Sequence, residues 1–156
     1  MKPYNELKIS FPSESCNEGI ARMCITSFVS ALDPTVTELA EIKTAVSEAV
    51  TNSIVHGYRG GFGKIEIYAK AFENRNLSIR ITDHGCGIAD IEKAMEPLYT
   101  SAPEEERAGL GFAVMESFMD KLTVKSTPGK GTTVTMQRKL SPTHNLHKLS
   151  ERNSLE

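Results

Sequence analysis

The chain has no excess of either charge: 18 Lys and Arg stand against 20 Asp and Glu, a net charge of −2. That balance gives no support to a general nucleic-acid-binding surface, which needs clustered cations. Long apolar runs are also missing. No stretch approaches the ~20 residues that span a bilayer, and the opening Met1-Lys2-Pro3-Tyr4-Asn5-Glu6 lacks the hydrophobic core of a secretory signal. A cytoplasmic protein without membrane contact is the expectation. Cysteine is scarce, and the spacing of Cys16, Cys24 and Cys86 fits neither a disulfide framework nor a zinc site, so reduced thiols are expected. Of the histidines, His144 and His147 lie in a polar tail and His56 and His84 flank glycines, with no convergent ligand set. Internal repeats are absent, and 156 residues suit one domain with a single core.

What is present is a clear succession of periodic segments. Leu7-Lys8-Ile9-Ser10-Phe11 alternates as a strand ended by Pro12. Residues 15–32 predict a first helix that turns Ile20, Met23, Cys24, Ser27 and Phe28 toward the core. Asp33-Pro34 breaks it, and Thr35 is a cap for a second helix over residues 36–56. In that helix Leu39, Ile42, Val46, Ala49, Val50 and Ile54 form one buried stripe. Strands follow at 64–71 and 77–82, joined through Glu73-Asn74-Arg75-Asn76, then a short helix near 88–94 and a long loop over 96–108. A helix leads on to Met119, and strands at 122–126 and 132–138 form a last hairpin. The expected fold is an α/β (α+β) sandwich with helices on one face of a mixed, mostly antiparallel sheet. Residues 1–140 form the expected domain; 141–156 are polar, aperiodic and expected to be disordered.

Four short motifs carry chemistry. Glu48 and Asn52 are one helical turn apart, with His56 a turn further on the same face. A carboxamide oxygen can ligate Mg²⁺ while a neighbouring carboxylate accepts a proton from an attacking hydroxyl, as phosphoryl transfer requires. The plainer reading is a solvated polar face closed by Gly57. At the end of the strand Leu77-Ser78-Ile79-Arg80-Ile81-Thr82 comes Asp83-His84-Gly85-Cys86-Gly87. There an acceptor can meet an exocyclic amine, and glycines admit a flat ring; an ordinary turn is the alternative. Arg107-Ala108-Gly109-Leu110-Gly111-Phe112 is a glycine-rich entry to a helix whose free N–H groups attract phosphate. It is neither a P-loop, since the Lys-Ser/Thr ending is missing, nor a Rossmann fingerprint. Last, Pro128-Gly129-Lys130-Gly131-Thr132-Thr133 is by itself a hairpin turn.

In this order, a helical Glu-x-x-x-Asn, Asp-x-Gly-x-Gly, Gly-x-Gly-Phe and Gly-Thr resemble the Bergerat-fold ATPases, among them gyrase-type and histidine-kinase ATP-binding domains. The resemblance covers about residues 5–140. Within that superfamily Leu32-Asp33-Pro34, the run from Glu41 to Asn52 and Arg107-Ala108-Gly109-Leu110-Gly111-Phe112 are most similar to the anti-sigma-factor serine kinases. The resemblance implies a homodimer that binds a sporulation sigma factor of the sigma-F type and uses Mg-ATP to phosphorylate a serine on an anti-anti-sigma protein. It implies Glu48 as general base, Asn52 as Mg²⁺ ligand, and Asp83 on the adenine amine with Gly85, Gly87 and Thr132 around it. Gly109 and Gly111 are implied at the phosphates, Arg107 as a lid charge, the 96–108 loop as that lid, and Arg22 as the contact to protein partners.

Two positions depart from the family pattern. Ala102 stands where close relatives carry a lid lysine, and Ala108 where they carry serine before the glycine pair, which removes a charge-assisted contact and a hydrogen bond to phosphate. Three alternatives therefore stay open: an ATP-gated sigma-factor clamp with little transferase activity, a general-stress anti-sigma kinase, and a detached histidine-kinase catalytic domain. The last lacks a preceding phosphoacceptor helix.

Overall fold

The computed structural model describes residues 1–97 and 110–142. Their order is β1 (Asn5–Pro12), α1 (Asn17–Ser30), α2 (Val36–Asn52), a π turn (Ser53–Gly57), β2 (Lys64–Ala71), β3 (Asn76–Asp83), α3 (Ile91–Met95), α4 (Gly111–Phe118), β4 (Lys121–Thr127) and β5 (Gly131–Lys139). The five strands form one sheet in the order β1-β2-β3-β5-β4. Every pairing is antiparallel, so no parallel ladder makes the sheet mixed among the described residues. Pro12, which cannot donate to a ladder, closes an edge strand.

Strand alternation decides which face is covered. Ile65, Ile67, Ala69 and Ala71 on β2, Leu77, Ile79 and Ile81 on β3, and Val134 and Met136 on β5 are buried together with the inner faces of the helices. The intervening Tyr68, Arg80 and Lys70 lie on the other face, where Lys8 and Lys70 each stand 4.4 Å from the Tyr68 ring centre. The same period of two carries Asp83, next after Ile81, and Thr132, next before Val134, onto the covered face. Both are buried, and they are register partners.

α2 begins at a capping box. Thr35 Oγ1 accepts the Glu38 N–H at 3.1 Å, and Glu38 Oε2 accepts the Thr35 N–H at 2.8 Å. The other Glu38 oxygen accepts both the N–H and the hydroxyl of Ser141, at 2.7 and 2.8 Å. Arg75 Nε donates to the Ser141 carbonyl at 2.6 Å, so the first residue assigned by sequence to the polar tail is held firmly. The rest of that tail from residue 143 lies outside the described residues.

α1 corrects one expectation. Its buried face is Ala21, Ile25 and Val29, whereas Ser27 is exposed, Ile20 keeps 59% and Met23 71% of its surface, and Cys24 is only half-buried. Phe28 alone of the expected set packs on the core. Both sets have helical spacing and differ by about one residue in phase. Periodicity cannot choose between them, and small Ala21 lets α1 lie closer to its neighbours than the bulkier stripe would.

α2 also ends earlier than its apolar stripe. After Asn52 the chain widens, and the Tyr58 N–H reaches the Ser53 carbonyl five residues back at 3.0 Å. α3 starts at Ile91, three residues later than expected, because Asp90 caps it by accepting the Lys93 N–H at 3.0 Å.

Candidate functional site

A cavity of about 600 Å³ opens between the end of α2, the π turn, the loop after β3, α3 and the start of α4. That volume suits a nucleotide-sized ligand. Asn52, Asp83, Gly87, Gly111 and Thr132 line it, so five of the residues singled out from sequence meet at one place.

At one end of the cavity, α4 begins at Gly111 against α2. A Cβ on Gly111 would stand 3.1 Å from both carboxamide atoms of Asn52 and 3.3 Å from Glu48 Oε2, so any larger residue here would require those side chains to give way by a few tenths of an ångström. No side chain among the described residues caps α4, and its first internal bond runs from the Val114 N–H to the Leu110 carbonyl at 2.9 Å. The earlier N–H groups therefore point out of the helix end, where an anion is favoured. Arg107 and Gly109, with Ala102 and Ala108 and nearly all of the expected lid, lie outside the described residues.

At the far end Asp83 is fixed by its neighbours. Its Oδ1 accepts the Gly85 N–H at 3.0 Å and the Thr132 N–H at 3.3 Å, while Oδ2 has no donor among the described residues. Gly87 lines the cavity; Gly85 does not, but it packs on Gly57, which does. A Cβ on Gly85 would lie 2.2 Å from the Gly57 carbonyl oxygen, and Gly87 has φ +73° with the Thr127 carbonyl 2.3 Å from where its Cβ would be. The π turn matters here, since it sets Gly57 where its carbonyl also accepts the Cys86 N–H at 2.8 Å.

Arg22 is on α1, away from this cavity's lining, with a guanidinium nitrogen 3.6 Å from Glu18. Sequence reading did not single out Lys93, which also lines the cavity; it took Cys86 only as a reduced thiol and His56 as a bystander, and both line the cavity too. Lys93 follows from no local motif; it is delivered by the Asp90 cap. Cys16, Cys24 and Cys86 are free thiols. Among the described residues no group of three His, Cys, Asp or Glu side chains could hold a metal ion. No helix among them is long and apolar enough to cross a membrane.

A five-stranded antiparallel sheet, with helices on one face and a cavity walled by these glycines, defines an ATP-binding domain of the histidine kinase-like class. The family model described as histidine kinase-like ATPase domain matches residues 11–138. Among curated proteins the chain is 55% identical over 139 residues to an anti-sigma F factor of Thermoanaerobacter sp., covering 88% of this chain and 96% of that one. It is 52% identical over 137 residues to the anti-sigma F factor of Clostridium acetobutylicum, covering 88% and 95%. The chain belongs to the anti-sigma F factor family of histidine kinase-like ATPases, which are ATP-dependent serine kinases. The fold is shared with the RsbU and RsbW domains of Rv1364c from Mycobacterium tuberculosis, at a TM-score of 0.66 and 20% identity over 90% of this chain and 34% of that one. A histidine kinase domain from Erythrobacter litoralis matches at 0.52 and 20% identity, covering 79% and 61%.

Proposed function

We propose that the protein captures a sigma factor of the sigma-F type and phosphorylates a serine of an anti-anti-sigma protein from Mg-ATP bound in this cavity. The observation that carries the transfer reaction is Gly111 lying against Glu48 and Asn52, because it joins a phosphate-attracting helix start to a carboxylate and a carboxamide. In this reading the serine Oγ attacks the terminal phosphorus, its proton passes to the Glu48 carboxylate, and the bond to the leaving ADP breaks. When bound, Mg²⁺ would neutralise charge on the phosphates, and the Asn52 carboxamide oxygen is the protein atom that would hold it. Asp83 takes the adenine amine, with Gly85, Gly87 and Thr132 shaping that end. Gly109 and Gly111 serve the phosphates, and Arg107 supplies charge from the lid.

Arg22 is the proposed contact to both protein partners. It stands on α1 beside the exposed Ile20 and Met23, the kind of mixed surface that protein partners cover. The protein acts as a cytoplasmic homodimer in this reading, with one domain over residues 1–140 and a polar tail after it. The names of the relatives favour a sporulation sigma factor over a general-stress one.

A second reading, a nucleotide-gated clamp without useful transferase activity, is favoured by Ala102 and Ala108. The two are separated by incubating the protein with Mg-ATP and a purified anti-anti-sigma protein and locating phosphoserine by mass spectrometry. Phosphoserine establishes the kinase; bound ATP without phosphoserine establishes the clamp.

A further inference from the structure

We propose that Ser126, a β4 residue outside the lining of the large cavity, fixes the hydrogen-bond polarity of Thr132 and thereby makes the base-binding end select an amine-bearing purine edge over a carbonyl-bearing one. The inference rests on the reading that ATP occupies this cavity with its base at Asp83, and it assigns a positioning residue to that site.

Ser126 faces Thr132 across the β4–β5 ladder. Its hydroxyl has three neighbours within hydrogen-bond distance: the Ile88 N–H at 2.7 Å, the Gly131 carbonyl at 3.0 Å and the Thr132 hydroxyl at 2.8 Å. An amide N–H can only donate and a carbonyl can only accept, while Ser126 has a single proton. Only one arrangement turns all three contacts into hydrogen bonds. Ser126 donates to Gly131, and it accepts from both Ile88 and Thr132. The Thr132 proton is then committed to Ser126, and the Thr132 oxygen meets the cavity as an acceptor.

Asp83 is an acceptor as well. Its Oδ1 is occupied by two N–H groups and its Oδ2 has no donor among the described residues. Asp83 and Thr132 are register partners, so the end of the cavity presents two acceptors side by side. A purine bearing an exocyclic amine can donate to such an edge. One bearing a carbonyl at that position opposes it with a third acceptor, and sites whose polar groups are left unpaired discriminate strongly. The bond from the Ile88 N–H to Ser126 also holds the wall that follows Gly87, where Ile88 lines the cavity, but that contact bears on both purines alike and leaves their ratio to the Thr132 hydroxyl.

Binding, rather than turnover, gives the test. Dissociation constants for Mg-ATP and Mg-GTP are measured by calorimetry on the full chain, on Ser126→Ala and on Ser126→Thr. Ser126→Ala frees the Thr132 hydroxyl to rotate and donate, so the preference for ATP over GTP should fall by roughly tenfold, and Ser126→Thr should restore it. In a Thr132→Val background, Ser126→Ala should change the ratio no further, since its effect runs through that hydroxyl. ATP and GTP affinities that fall equally in Ser126→Ala would overturn the proposal and leave Ser126 a structural residue. If Ser126→Ala melts below the working temperature, Ser126→Cys, a near-isosteric but weak hydrogen-bonding group, reads the same ratio. Failure of the unaltered chain to bind ATP would instead overturn the nucleotide reading on which the proposal stands.

Discussion

Glu48 and Asn52 both reach the first residue of α4, yet their proposed tasks differ, so single substitutions should separate transfer from binding. Glu48→Gln keeps the shape and removes the proton acceptor. Serine phosphorylation should fall by about 10²–10⁴-fold, while ATP affinity measured by calorimetry stays close to that of the parent. Normal transfer by the variant would remove Glu48 from the base role. Glu38 illustrates a carboxylate used for structure. Burial pushes its carboxyl up, but hydrogen bonds from the Thr35 and Ser141 N–H groups and hydroxyls outweigh this and hold it below the ordinary value of 4.5. A depressed carboxyl contributes stability that is present above its unfolded value and lost as pH falls through its folded one. Glu38→Gln should therefore lower stability by about 1–2 kcal/mol at neutral pH. The gap in Tm between parent and variant should narrow below pH 4.5, and a gap independent of pH would show the charge to be irrelevant. At this scale the Thr35 end of the clamp was legible from sequence, since a capping box is a local pattern. Its Ser141 end was not, because that contact joins residues 103 positions apart. Ser126 was hidden for the same reason: nothing in Leu122-Thr123-Val124-Lys125-Ser126 marks which hydroxyl will face Ile88.

Among the elements, the π turn has the largest effect on the site for its length. It brings Gly57 under the loop after β3, and Gly85 must then pass within contact of a main-chain carbonyl that is held by the Cys86 N–H. Gly85→Ala should shift that loop, break the Cys86 N–H bond to Gly57, and lower stability by about 1–3 kcal/mol. ATP affinity should drop at least tenfold, as Asp83 Oδ1 also loses the Gly85 N–H. Thermal melts and calorimetry on the same sample read both quantities, and an unchanged affinity would mean that this wall does not touch the nucleotide. Strand alternation made most of the sheet legible, because a period of two leaves little freedom once one buried residue is known; the same period turns Asp83 inward, although its strand was expected to end at Thr82. Helix phase was less secure. On α1 the apolar residues Ile20 and Met23 competed with Ala21, Ile25 and Val29, and only packing against the sheet and α2 could decide between stripes. The widening after Asn52 had no local signature either, since Ser53-Ile54-Val55-His56 continues the helical pattern.

For the molecule as a whole, partner capture and nucleotide chemistry can influence each other only through elements that both share. α2 is such an element. It presents Glu48 and Asn52 toward α4, and one residue earlier Ser47 donates to Glu18 of α1 at 2.5 Å. Glu18 in turn stands 3.6 Å from Arg22, the proposed partner contact, so a chain of two polar contacts links the partner surface to the helix that carries the proposed base. In the proposed reading, nucleotide bound at the α4 start would act on one side of α2, and a protein bound at α1 would act on the other. Linkage makes any such effect reciprocal: a partner that distinguishes the ATP form from the ADP form must shift the affinities of ATP and ADP by the same factor. Sigma-factor affinity measured with saturating ATP and with saturating ADP should therefore differ by about fivefold or more. The ratio of ATP to ADP affinity should change by that same factor when the sigma factor is present. Glu18→Ala, which removes the shared contact without touching the cavity, should reduce the factor while leaving ATP affinity of the isolated protein in place. Equal capture in the two nucleotide forms would mean that the sigma-factor surface and the ATP site work independently, and that α2 is a scaffold for both rather than the link between them.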